Sequence, residues 1–135
     1  LLSALQSRDD LLPGLVTGND EACAWIKLRH AGLAEFFTFG AFGSEDGRRE
    51  ELARLALQRA RDRLPAGTEL EACLLIGDTP SDVAAGRAVG AGTVAVATGT
   101  YDLEALRATE PDLLLADLSD TAGVLDFIDG WSAGC

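Results

Sequence analysis

The chain has 135 residues, 47% of them hydrophobic and 24% charged, enough to bury a core and too apolar for a disordered segment. Eleven basic and 22 acidic residues give a formal net charge of −11. That surface repels nucleic acid and anionic membranes, and it admits a phosphorylated ligand only where a local cation reverses the sign. No apolar run approaches the ~20 residues of a membrane span. Cys23, Cys73 and Cys135 form no CxxC pair and read as reduced thiols, two of them in the core, which places the protein in the cytoplasm.

In chain order, Leu1–Ser7 resemble the end of an amphipathic helix, and Arg8-Asp9-Asp10 a turn. Leu11–Thr17 form a first strand. Pro13 confines the ordered part to the residues after it, because a proline belongs on an edge or at a strand start. Asp20–Ala31 form a helix capped by Asn19 or Asp20, with Ala22, Trp25, Ile26 and Arg29 along one face. Thr38–Phe42 form a second strand, Gly43–Gly47 a loop and Glu50–Leu64 a long helix with Ala53, Ala56, Leu57, Ala60 and Leu64 on one side. These roughly 30 residues before the next strand hold one helix plus loops, leaving no place for a large inserted cap.

Leu70–Ile76 read as a buried strand that ends at Gly77-Asp78. Thr79 caps the next helix, Pro80 suits its first turn, and Gly90 ends it after the apolar positions Val83, Ala84 and Ala88. Thr93–Ala97, Tyr101–Thr109, Leu113–Leu115 and Thr121–Ile128 complete a strand-helix alternation. The pattern predicts an α/β fold, a Rossmann-like parallel sheet with helices on both faces. Residues 1–130 form its core, and 131–135 are a C-terminal tail.

Two turns carry chemistry. Asp78 sits at the carboxyl end of a strand, where open α/β sheets bind ligands, and Asp82 follows one helical turn later. Two neighbouring carboxylates repel unless a cation lies between them, and hard oxygen donors suit Mg²⁺. A turn Asp followed by a first-turn helix Asp also fits, since the dipole favours it. In the other turn, Val16-Thr17-Gly18-Asn19 brings a hydroxyl to a strand end, a glycine that lets a ligand approach, and a helix N-terminus suited to an anion. An ordinary capped βα turn has the same pattern.

In this order the two features resemble the haloacid dehalogenase-like (HAD) hydrolase superfamily, in its phosphoglycolate-phosphatase-like branch. Val16-Thr17-Gly18-Asn19 is similar to its second motif, which holds the transferring phosphoryl group. Gly77-Asp78-Thr79-Pro80-Ser81-Asp82 is similar to its fourth, GDxxxD, which holds Mg²⁺. Gly40–Ser44 and Val94–Gly99 also resemble segments of that branch. The first motif, DxDx(T/V), with the Asp nucleophile and the central strand, is absent: no Asp-x-Asp occurs in the chain. The resemblance therefore implies the C-terminal part of a longer protein, its central strand supplied from outside the chain.

The resemblance further implies Mg²⁺-dependent hydrolysis of a small phosphate monoester through an aspartyl-phosphate intermediate, with the chain alone inactive. Thr17 would contact the phosphoryl oxygens, with Gly18 and Asn19 completing the substrate loop, and Asp78 and Asp82 would serve the metal. No Lys-Pro third motif exists, so Arg49 is favoured as the neutralising cation over Lys27, the sole lysine. Lys27 lies two turns into its helix, roughly 10 Å from the anion end. A phosphomutase, a C–P hydrolase or a dehalogenase of the same superfamily, and a non-catalytic α/β binding module, stay open, as does the oligomeric state.

Overall fold

The computed structural model describes residues 1–131. The tail expected at 131–135 lies outside them apart from Trp131. The chain divides into two compact units, Leu2–Glu69 and the part from Leu70 onward.

The first unit holds helix α1 (Leu2–Gln6), strand β1 (Leu15–Thr17), helix α2 (Glu21–His30), a 3-10 turn at Ala34–Phe36, strand β2 (Gly40–Phe42) and helix α3 (Arg49–Arg61). β1 starts two residues after Pro13, as the proline requires. It pairs in parallel with β2, Val16 opposite Ala41. Ala41, Leu52 and Ala56 form the core, with Val16 and Leu55 packed against them.

The inward face of α2 is not the stripe of Ala22, Trp25, Ile26 and Arg29 that spacing suggests. Ala24 is its buried residue, whereas Ile26 is 62% exposed and Ala22 is exposed. Trp25 is half-buried and meets Phe42 at 6.0 Å between ring centroids. Spacing alone gives a stripe but not its direction. The ring that reaches β2 turns the helix so that Ala24 faces inward.

The second unit comprises strand β3 (Leu74–Gly77), helix α4 (Pro80–Ala88), strand β4 (Gly92–Val96), helix α5 (Leu103–Arg107), strand β5 (Leu113–Leu115) and helix α6 (Thr121–Gly130). Its sheet has the order β3-β4-β5, all parallel, with Ile76 opposite Val94 and Ala95 opposite Leu114. All three β-ladders are parallel and joined through helices, as the alternation predicts. Among the described residues β1 and β3 each pair with one strand only. Each therefore keeps a second edge able to accept a further strand.

α4 buries Val83, Ala85 and Gly86, while Ala84 and Ala88 face solvent. The Gly86 backbone comes close to Thr93 of β4, which sets the face that points inward. β4 is buried along its whole length. Its one polar residue, Thr93, is satisfied by Asp112: Asp112 Oδ2 accepts from Thr93 N at 2.7 Å and from Thr93 Oγ1 at 2.9 Å. Asp112 N donates back to Thr93 Oγ1 at 3.2 Å.

Cys23 is an exposed free thiol and not a core residue. Cys73 is disulfide-bonded, which corrects the expectation of a reduced thiol. Cys135 lies outside the described residues.

Val83, Ala95 and Leu106 centre the second core, with Ala97 and Leu114 against them. Leu106 is fully buried. Leu106→Ala is expected to lower unfolding stability by about 2–5 kcal/mol, from lost transfer energy plus a cavity. Urea unfolding of the full-length protein checks this, and a loss below about 1 kcal/mol would contradict the packing described.

Candidate functional site

In the second unit, β3 ends at Gly77 and the chain turns through Asp78 and Thr79 into α4. Thr79 has an extended backbone and caps the helix: its Oγ1 accepts from Asp82 N at 3.2 Å. Asp82 Oδ2 reaches back and accepts from Thr79 N at 3.1 Å, Thr79 Oγ1 at 2.8 Å and Asp78 N at 3.2 Å. This is a reciprocal capping box extended by one residue. Asp82 is only 7% exposed, and its charge is met by these donors and by the helix N-terminus.

Asp82 therefore does not need a cation between itself and Asp78 to be buried as a carboxylate. Its Oδ2 is committed to the turn. What the arrangement does is fix Asp78, whose backbone N–H is held by Asp82, at the carboxyl end of the sheet.

Two glycines leave the room this requires. A Cβ on Gly77 would overlap the Asp82 side chain from its root. A Cβ on Gly99, in the loop after β4, would overlap the Asp78 carboxylate. The Gly99 backbone is thus the wall against which Asp78 rests, and β3 and β4 bring the two loops to the same edge of a parallel sheet.

Among the described residues no group of three or more His, Cys, Asp or Glu is placed to hold a metal ion. The chain's contribution is smaller: Asp78 as a hard oxygen donor, with Asp82 behind it. That donor set fits Mg²⁺, which keeps several waters and shares its remaining positions with phosphate oxygens.

In the first unit, Thr17 ends β1 and Asp20 caps α2, its carboxylate accepting from Ala22 N at 3.0 Å. Between them the chain folds onto the Thr17 hydroxyl. Asn19 N donates to Thr17 Oγ1 at 3.1 Å, and Asn19 Nδ2 donates to it at 3.0 Å. The loop is braced from β2, where Gly43 N donates to Asn19 O at 2.8 Å. No atom lies within 4 Å of where a Cβ on Gly18 would stand, so that side of the residue is open, while its carbonyl side packs against Gly43.

Lys27 departs from expectation. Its Nζ donates to Asn19 Oδ1 at 2.8 Å, so it reaches the N-terminal end of its helix despite its place in the sequence. The count of 1.5 Å per residue measures the axis, whereas helical side chains slant towards the N-terminus and a lysine is long. Arg49 is the first residue of α3 and half-buried, and its Nη1 donates to Val16 O at 3.4 Å, one residue before Thr17. The first unit thus brings Thr17, Asn19, Lys27 and Arg49 to the end of β1.

A clamp that sequence spacing does not show holds the loop after β2. Glu45 Oε2 accepts from Phe42 N at 3.0 Å, and Arg59 grips both oxygens of Glu45 at 2.9 and 2.5 Å. Arg59 also donates to Gly40 O at 2.6 Å. Its guanidinium holds the Glu45 carboxyl below the usual range, with the Phe42 N–H adding to the effect. The partners are 14 residues apart, beyond any helical pairing rule.

Parallel strands whose βα turns present polar groups at the sheet's carboxyl edge define a Rossmann-like α/β protein. A family model described as HAD-hydrolase-like matches residues 50–121. The chain belongs to that family. No curated protein matches it. Solved structures share the fold. A candidate phosphatase from Clostridium difficile is 17% identical with a TM-score of 0.78, the match covering 92% of this chain and 56% of that one. A haloacid dehalogenase-like hydrolase from Streptococcus pneumoniae is 22% identical with a TM-score of 0.77, over 94% and 56%. A candidate HAD hydrolase from Bacillus subtilis, described as bound to magnesium, is 20% identical with a TM-score of 0.66, over 93% and 52%. The chain spans just over half the length of these proteins.

Gly99→Ala is expected to push the Asp78 carboxylate aside, and any Mg²⁺ held there would bind about tenfold more weakly, the scale of losing a group that orients a metal ligand. Thermal stabilisation of the full-length protein by Mg²⁺ reads this directly. An unchanged half-saturating concentration would show that Asp78 does not depend on Gly99 for its position.

Proposed function

We propose that the full-length protein hydrolyses a small phosphate monoester with Mg²⁺, through an aspartyl phosphate formed on a residue outside this chain. The observation that carries the reading is the placement of Asp78, fixed at the end of β3 by the Asp82 cap and set against Gly99. Membership in the HAD-hydrolase-like family and the resemblance of the two turns to its second and fourth motifs support it.

In this proposal Asp78 would hold the metal directly, and Asp82, which closes the turn behind it, would serve the metal directly or through water. When bound, Mg²⁺ would neutralise charge on the phosphoryl oxygens. Thr17 donates a hydrogen bond to a phosphoryl oxygen, the open side of Gly18 admits the ligand, and Asn19 completes the loop. Arg49, always charged and able to grip phosphate through two N–H groups, supplies the cation that the missing Lys-Pro would have supplied. Chemistry of this kind is mostly positioning and electrostatic stabilisation. The chain alone lacks a nucleophile and would be inactive.

No described helix is long and apolar enough to cross a membrane. A cytoplasmic site of action belongs to the same proposal. It rests on the class of substrate, because the disulfide at Cys73 removes the argument from reduced thiols.

Asp78→Asn in the full-length protein is expected to reduce Mg²⁺-dependent hydrolysis of a generic aryl phosphate by roughly a hundredfold or more, the scale of losing one preorganised electrostatic group. Unchanged turnover would refute the assignment.

A further inference from the structure

We propose that Lys27 is a positioning residue that decides, through the side-chain amide of Asn19, that Thr17 presents a hydrogen-bond donor to an anion. The inference deepens the phosphatase reading and rests on it for the ligand of Thr17.

Donor and acceptor inventory fixes which way the Asn19 amide faces. A lysine ammonium has three donors and no acceptor. Because Lys27 Nζ lies 2.8 Å from the Asn19 amide, the atom facing it is the oxygen, Oδ1. The amide nitrogen then faces the other way, towards Thr17 Oγ1 at 3.0 Å. An amide nitrogen only donates, so Thr17 Oγ1 is its acceptor. The backbone N–H of Asn19 is a second donor to the same oxygen, at 3.1 Å. A threonine hydroxyl has two acceptor positions and one proton. Both acceptor positions are filled, and the proton is what Thr17 can offer.

A phosphoryl oxygen only accepts, so this is the polarity it requires. Were the Asn19 amide turned over, Oδ1 would take the Thr17 proton. The hydroxyl would then present lone pairs to an anion and repel it. Lys27 makes that state unfavourable, because an ammonium facing an NH₂ group has nothing to bind. The lysine acts two hydrogen bonds away from the ligand, and its charge also strengthens Asn19 as a donor. Lys27 is exposed, so its replacement leaves the packing of α2 intact.

The test is titration of the full-length protein with inorganic phosphate, beside turnover of an aryl phosphate. Lys27→Met is expected to weaken phosphate binding about tenfold, the size of one charge-assisted hydrogen bond's orienting effect. Lys27→Arg, which also only donates, is expected to bind within about twofold of the original. Lys27→Glu, whose carboxylate would attract the amide NH₂ and reverse the chain, is expected to bind more weakly than Lys27→Met.

The Lys27→Met deficit is expected to persist at about 1 M salt, where the screening length is about 3 Å. A deficit that salt removes would mean simple attraction of charge and would overturn the inference, as would unaltered binding in Lys27→Met or a failure of Lys27→Arg to restore it. Phosphate binding without turnover would refute the hydrolase reading alone. Absence of phosphate binding by the original protein would overturn both.

Discussion

A single carboxylate oxygen, Asp82 Oδ2, gathers two backbone N–H groups and a hydroxyl at the point where β3 becomes α4. The end of that strand depends on this arrangement. The first N–H groups of a helix have no partner within it, and burying them unpaired is costly. Asp82 supplies acceptor capacity at the start of α4, and Gly77 leaves its side chain the space to do so. Asp78 is left as the carboxylate at the tip of the turn, held by its own N–H and resting on Gly99.

The turn after β1 reaches the opposite polarity with the same economy of parts. There a hydroxyl sits at the strand end, and its acceptor positions are filled from Asn19, so that a donor is what Thr17 has to offer. One turn suits a cation and the other an anion. Each preference is set within its own unit. It arises from hydrogen-bond inventory rather than from bulk charge, which at −11 would keep phosphate away.

Much of this was legible in the residues. β5 falls where its apolar run and flanking turn residues place it, and β1 begins where Pro13 allows. Thr79, Pro80 and Gly90 mark the ends of α4 because each has a local physical preference that tertiary packing does not override. Burial direction was less legible. Ile26 and Ala84 lie on apolar stripes yet face solvent, since the contacts that choose a face, Trp25 on Phe42 and Gly86 on Thr93, come from distant residues. The spacing of Asp78 and Asp82 suggested a metal pair, and nothing in it showed that Asp82 Oδ2 also closes the turn. Lys27 looked remote because a helix was measured along its axis. The grip of Arg59 on Glu45, and that of Thr93 on Asp112, span 14 and 19 residues and have no signature at that distance.

On the proposed function, the β3–α4 turn holds Asp78 as a divalent-cation ligand. Mn²⁺ takes similar oxygen ligands and broadens the NMR signals of nearby nuclei. Substoichiometric Mn²⁺ added to the full-length protein is predicted to broaden the backbone amides of Gly77, Asp78, Thr79 and Gly99 first, with excess Mg²⁺ restoring them. Broadening that spares these residues while affecting exposed acids such as Asp9 and Asp10 would contradict the account.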